Sequence, residues 1–147
     1  MFKTWGDWVT KSSLRVLVVD DFDQFRRFLR SILQREMSAR NILEASDGRE
    51  AVELAQELQP DLILLDIGLP KLSGIEAAKR IRKLAPKSRI LFVSQESSPN
   101  VVREALSVGG SGYLIKTDVG SELVTAVKSV LRDEKFLSSR LADYDLS

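Results

Sequence analysis

The chain of 147 residues contains no cysteine and no histidine. The first absence excludes disulfides, thiolate zinc sites and cysteine nucleophiles. The second removes Ser-His-Asp triads, histidine metal sites and any histidine phosphate carrier. A bound metal would have to be held by oxygen, which points to magnesium, calcium or manganese. Neither sign of charge dominates. Twenty-two basic and 21 acidic residues leave a net charge of +1, which is no nucleic-acid footprint. Long apolar runs are missing too, and none approaches the ~20 residues of a membrane span. Lys3 is not followed by an apolar core, so the N-terminus does not read as a signal peptide. A soluble cytoplasmic domain with no membrane contact is expected. Hydrophobic residues make up 44% and charged residues 29%. That balance is globular, and a chain of this length buries roughly 70% of its unfolded surface without a disulfide or metal staple.

Five short apolar runs recur: Val16–Val19, Ile42–Ala45, Leu62–Leu65, Ile90–Val93 and Tyr113–Ile115. Three are continuous in Val, Ile, Leu or Phe, as strands covered on both faces require. Helical stripes lie between and after them. The first is Phe25, Phe28, Leu29, Ile32 and Leu33; the second is Ala51, Leu54, Ala55 and Leu58. The third is Ile75, Ala78, Ile81 and Leu84, and the fourth Val101, Val102, Ala105 and Val108. The fifth is Leu123, Ala126, Val127, Val130 and Leu131. Pro60 stops the second helix, Ser73 with Glu76 forms a capping box for the third, and Gly109–Gly110 caps the fourth at its C-terminus. The pattern is (βα)5. It implies an α/β fold, a doubly wound parallel five-stranded sheet with flavodoxin-like strand order 2-1-3-4-5. Residues 14–134 form this domain. Residues 1–13 are an N-terminal extension, in which Trp5 and Trp8 either pack on the domain or contact a partner. Residues 135–147 are a C-terminal tail read as short helix or coil.

Ligands of an open parallel sheet bind beyond the carboxyl ends of its strands. Strand 1 ends in Asp20 and Asp21, strand 3 in Asp66, strand 4 in Ser94 and strand 5 in Lys116. Strand 2 ends in Ser46–Asp47–Gly48, which reads as a turn and helix cap. Asp21 or Asp23 alone could be a helix N-cap. Three carboxylates together repel and raise one another's pKa. A divalent cation that keeps several waters relieves this, a coordination style that suits magnesium. Lys116 is the natural counter-ion in its absence.

With these segments in place, VLVVDD, LILLDIGLP, ILFVS and GYLIK resemble the response-regulator receiver domain, the CheY-like fold of bacterial two-component signalling. The resemblance covers about residues 14–134, and the LIKTDVGSELVTAVKSVL stretch is most similar to NarL/FixJ-type receivers. It implies that Asp66 is the phosphoacceptor, taking a phosphoryl group from a histidine kinase or phosphotransfer protein. It implies Mg2+ held by Asp20, Asp21, Asp66 and the backbone carbonyl of Gly68. Ser94 and Lys116 would each contact a phosphoryl oxygen. Tyr113 would be the aromatic switch, rotating into space that Ser94 vacates and changing the surface of helix 4, strand 5 and helix 5. The downstream effector is unknown, and a homodimer formed on phosphorylation is a further expectation. Arg26, Arg27, Arg30 and Arg35 form a solvated face of helix 1, a helix that by resemblance also contributes to kinase docking.

Three departures from the family pattern stand out. Gln95 occupies a usually small position after the switch hydroxyl, predicting slower phosphorylation by small donors. Thr117 replaces the proline that usually follows the lysine. Gly68 and Glu96 sit where receivers vary and tune phosphoryl lifetime. Other readings fare worse. A haloacid-dehalogenase-type phosphatase needs a second acid where Gly68 stands, and no G-x-x-x-x-G-K-[ST] phosphate loop occurs. The acidic loop after strand 1 would repel a flavin phosphate. The chain is therefore not read as an enzyme beyond its own phosphorylation and dephosphorylation. A NarL/FixJ-type regulator carries a helix-turn-helix domain after its receiver, and residues 135–147 leave no room for one. This chain is expected to bind no nucleic acid itself, as a stand-alone receiver or a piece of a transcription regulator.

Overall fold

The computed structural model describes residues 14–146. The Trp5 and Trp8 segment lies outside the described residues. Strands and helices alternate: β1 (Arg15–Val19), α1 (Asp23–Met37), β2 (Asn41–Ala45), α2 (Gly48–Leu58), β3 (Leu62–Leu65) and α3 (Gly74–Leu84). They continue as β4 (Arg89–Ser94), α4 (Pro99–Ser107), β5 (Gly112–Ile115), α5 (Val119–Leu131) and a short β6 (Phe136–Leu137). The sheet is parallel, in order β2-β1-β3-β4-β5-β6. The expected order 2-1-3-4-5 is present, extended by a sixth strand at the β5 edge.

The alternation of side chains along each strand sorts the core onto two faces. Val16, Val18, Leu62, Leu64, Leu91, Val93 and Leu114 pack with Leu29, Leu33, Leu123 and Val127, so α1 and α5 cover one face. Leu17, Val19, Ile63, Leu65, Phe92 and Tyr113 pack with Ala51, Ala55, Ala78, Ile81 and Val102, so α2, α3 and α4 cover the other. Small alanines on α2 and α3 let these helices approach the sheet closely.

The helix ends follow local chemistry. Asp47 caps α2 by accepting from the Glu50 N–H at 2.8 Å, and Ser73 caps α3 through the Glu76 N–H at 3.2 Å. At the end of α4, Gly109 N–H donates to the Leu106 carbonyl and Gly110 N–H to that of Ala105. This pair of bonds is a Schellman motif, and its left-handed residue, Gly109 at φ +107°, requires glycine. α1 starts without a side-chain cap. Its N-cap is Phe22, so neither Asp21 nor Asp23 serves there. Asp23 instead pairs with Arg26 and Arg27.

The segment after α5 is more than coil. β6 pairs with β5 in the register Tyr113↔Leu137. Ser138 is buried, its Oγ accepts from the Ile115 N–H at 2.7 Å, and its N–H donates to the Tyr113 carbonyl. A 3-10 turn at Ser139–Leu141 then buries Leu141 completely.

Candidate functional site

The parallel sheet delivers β1, β3, β4 and β5 to one edge, and each ends on a residue singled out from the sequence. Val19 pairs with Leu65, so Asp20 and Asp66 follow side by side. Ser94 pairs with Ile115, so Lys116 follows one step further. Gly74 positions the Asp66 loop. A Cβ there would lie 1.9 Å from the Asp66 carbonyl oxygen, and only glycine lets α3 begin so close.

Asp20, Asp21 and Asp66 each offer a carboxylate oxygen within 4.8 Å of the others. Asp20 and Asp66 are buried, whereas Asp21 is exposed. The Lys116 ammonium lies 2.6 Å from Asp20 Oδ2 and 3.0 Å from Asp66 Oδ2. The remaining oxygens are held by backbone: Phe22 N–H donates to Asp20 Oδ1, and Ile67 N–H to Asp66 Oδ1. Among the described residues the ammonium is the one group that meets Asp20 Oδ2, so this buried acceptor keeps lone pairs free for a cation. Burial pushes the Asp20 carboxyl above its ordinary value and the Asp66 charge adds to the rise, against the pull of Lys116 and the Phe22 N–H. Burial alone would lower the Lys116 pKa, but its bonds to Asp20 and Asp66 outweigh that and raise it. Hard oxygen donors, a buried acceptor met by the ammonium alone and an exposed Asp21 fit a small divalent cation. Gly68 lies two residues beyond Asp66 in an exposed loop with open space around its Cα.

Ser94 and Tyr113 form a second group beside the first. Ser94 is buried, and its Oγ accepts from the Glu96 N–H at 3.2 Å. Tyr113 is fully buried with its ring stacked on Phe92, centroids 6.1 Å apart. Its hydroxyl donates to the Glu96 carbonyl at 2.7 Å. Burial pushes the phenol's pKa up, with the Ser94 hydroxyl offsetting part of the rise. Among the described residues no hydrogen bond joins this group to the carboxylates. The sequence reading has Tyr113 turning inward as part of switching. In this structure the ring already sits inside, in the core that Leu137, Leu141 and Tyr144 also pack against.

The chain is similar to known proteins in sequence and in fold. The response regulator receiver domain family matches residues 16–128. The chain belongs to that family. This receiver is 36% identical to chemotaxis protein CheY of Thermotoga maritima over 119 residues, covering 79% of the chain and 96% of that protein. It is 31% identical to transcriptional regulatory protein DegU of Brevibacillus brevis, covering 90% of the chain but 56% of that protein. The chain spans between 56% and 64% of the length of four transcription regulators of this kind. A crystal structure of a LuxR-family two-component response regulator from an Aurantimonas species matches the receiver with a TM-score of 0.85 at 32% identity, covering 90% of the chain and 95% of that structure. The signal receiver domain of a NarL response regulator from Mycobacterium tuberculosis matches at 0.77 and 33% identity, covering 82% and 98%. The NarL-type resemblance of the sequence thus agrees with the relatives. No helix among the described residues is long and apolar enough to cross a membrane.

Three contacts escaped the sequence reading. Phe25, counted only as core, places its ring 4.6 Å from the Lys116 ammonium. Arg26 is no solvated residue: its side chain is only 14% exposed and pairs with Glu44 as well as Asp23. Tyr144 reaches from the tail to donate to the Ser97 carbonyl at 2.5 Å. The apolar Phe136, Leu137 and Leu141 were the available sign that the tail packs.

Proposed function

We propose that Asp66 accepts a phosphoryl group from the phosphohistidine of a histidine kinase or phosphotransfer protein. The observation that carries this is the pairing of Lys116 with Asp66 and Asp20 at 3.0 and 2.6 Å inside a buried carboxylate trio. Asp66 turns Oδ2 toward the ammonium, as Asp20 does, and an ionised carboxylate is already a competent nucleophile. Its oxygen bonds to phosphorus as the imidazole nitrogen leaves, giving an aspartyl phosphate. The Ile67 N–H holds the other Asp66 oxygen and fixes the carboxylate plane. Lys116 stays beside the reacting oxygen and balances charge on one equatorial phosphoryl oxygen. Ser94 donates to another by giving up its contact with the Glu96 N–H. Mg2+ bound by Asp20, Asp21, Asp66 and the Gly68 carbonyl would neutralise the remaining phosphoryl charge.

The reading extends to a cytoplasmic location, docking of the kinase on α1, and an output surface formed by α4, β5 and α5. The LuxR-type relatives favour a DNA-binding effector as the route of output, with dimerisation on phosphorylation as one form of it. Intact-mass spectrometry after incubation with Mg2+ and acetyl phosphate tests the proposal. One phosphoryl group added to the wild type and none to Asp66→Asn is expected. Equal labelling of both would overturn it.

A further inference from the structure

Resting on the reading of Asp66 as phosphoacceptor, we propose that residues 136–146 are a strap that reads the switch: Tyr144 clasps the loop after Ser94, and phosphorylation releases that clasp. The strap touches all three elements of the expected output face. On β5 it pairs through β6 and the buried Ser138. On α5, the Glu122 carboxylate accepts from Ser139 N–H and Oγ–H at 3.1 and 2.7 Å. On α4, Arg103 donates to the Asp145 carbonyl at 2.8 Å. Just before α5, Arg140 forms a two-bonded pair with Asp118. The α4–β5–α5 face is therefore closed by the chain's own C-terminal segment, and a partner of that face must displace or bind the strap.

The clasp sits where the switch would move. The loop from Ser94 to Ser98 offers two successive carbonyls to two phenols, Glu96 to Tyr113 and Ser97 to Tyr144. Sheet order gives the direction of pull. β4 lies between β3, which carries Asp66, and β5, with the strap beyond β5. Drawing Ser94 toward a phosphoryl group on Asp66 moves its loop toward β3 and away from the strap. Tyr113 is on β5, stacked on Phe92 of β4, and can follow the loop. Tyr144 is held through the β5 and α5 contacts of the strap and cannot, so its bond to Ser97 opens. The Tyr113 ring already lies inside, and the strap gives the movement of the loop a second readout.

The sequence supplies a direct probe, because Tyr113 and Tyr144 are its only tyrosines. The chain labelled with 3-fluorotyrosine has two fluorine resonances, assigned with Tyr144→Phe. Mg2+ and beryllofluoride serve as the phosphoryl mimic, and bound beryllofluoride reports its own fluorine signal, absent in Asp66→Asn. The expected result is a shifted Tyr144 resonance and about five-fold faster amide exchange over residues 139–146. Coupling is reciprocal, so Tyr144→Phe should bind beryllofluoride about five-fold more tightly, the equivalent of one neutral hydrogen bond. Bound beryllofluoride with an unmoved Tyr144 resonance, or unchanged affinity in Tyr144→Phe, overturns the strap while leaving the phosphoacceptor intact. No bound beryllofluoride in the wild type overturns both.

Discussion

Replacing Lys116 with methionine keeps the aliphatic stem and removes the charge that sits between Asp20 and Asp66. Asp20 is 1% exposed, Asp66 is 7% exposed, and the lysine side chain is 13% exposed. Water therefore screens the pair poorly. Breaking a buried ion pair from one side costs ~3–5 kcal/mol, because the partner's charge stays behind uncompensated. Here two carboxylates stay behind and face each other. Protonation of Asp20, whose pKa is already raised, relieves part of this. The net loss at neutral pH without divalent ions should be about 3 kcal/mol, the low end of that range. Urea unfolding in EDTA measures it through the midpoint, provided the slope is unchanged. Asp66→Asn in the same background removes one of the repelling charges, so the double variant should be more stable than the sum of the single losses by ~1 kcal/mol or more. Mg2+ should also stabilise Lys116→Met more than it stabilises the wild type. A loss under ~1 kcal/mol together with an additive cycle would refute the electrostatic account of the site.

The donor path, the strap's packing and its ion pair can each be perturbed singly. Gln95→Ala should raise the rate of phosphorylation by acetyl phosphate, read by intact mass over time; an unchanged rate removes Gln95 as an obstacle to the donor. Leu141→Ala should cost about 3 kcal/mol of unfolding free energy, as for a fully buried leucine, and amides of the strap should lose protection first. A cost near zero would mean the strap is not part of the cooperative unit. The Arg140 pair holds the Asp118 carboxyl below its ordinary value. A depressed carboxylate pKa contributes stability above the unfolded pKa and loses it as pH falls through the folded one. The strap should therefore stay docked down to about pH 4 and loosen below it, and Asp118→Asn should weaken that acid transition in amide exchange, with the Glu122–Ser139 bonds carrying what remains.

Most of the framework was legible because it is periodic. Leu62–Leu65 is a strand by its unbroken apolar run, and the helices are visible as stripes at spacings of three and four. The site was legible because a parallel sheet puts every strand end on one edge, so Asp20, Asp66, Ser94 and Lys116 could be gathered without coordinates. The missed features depend on single long-range contacts. β6 is two residues long and is held by a serine side chain bonded to the β5 backbone, which no periodicity announces. The alternative of Asp21 or Asp23 as a cap of α1 is not realised: Asp23 pairs with Arg26 and Asp21 lies at the carboxylate site. Tyr113 packs in one cluster with Leu137, Leu141 and Tyr144 of the tail, contacts that strand β5 alone does not announce.

The central claim is that Asp66 forms an acyl phosphate, and borohydride trapping tests it most directly. An acyl phosphate on an aspartate is reduced to homoserine, whereas a free carboxylate or a phosphoester is not. After incubation with Mg2+ and acetyl phosphate, peptide mass mapping should find homoserine at position 66 and at no other aspartate. Homoserine at Asp20 or Asp21, or at none of them when a phosphoryl group has been added, would contradict the account.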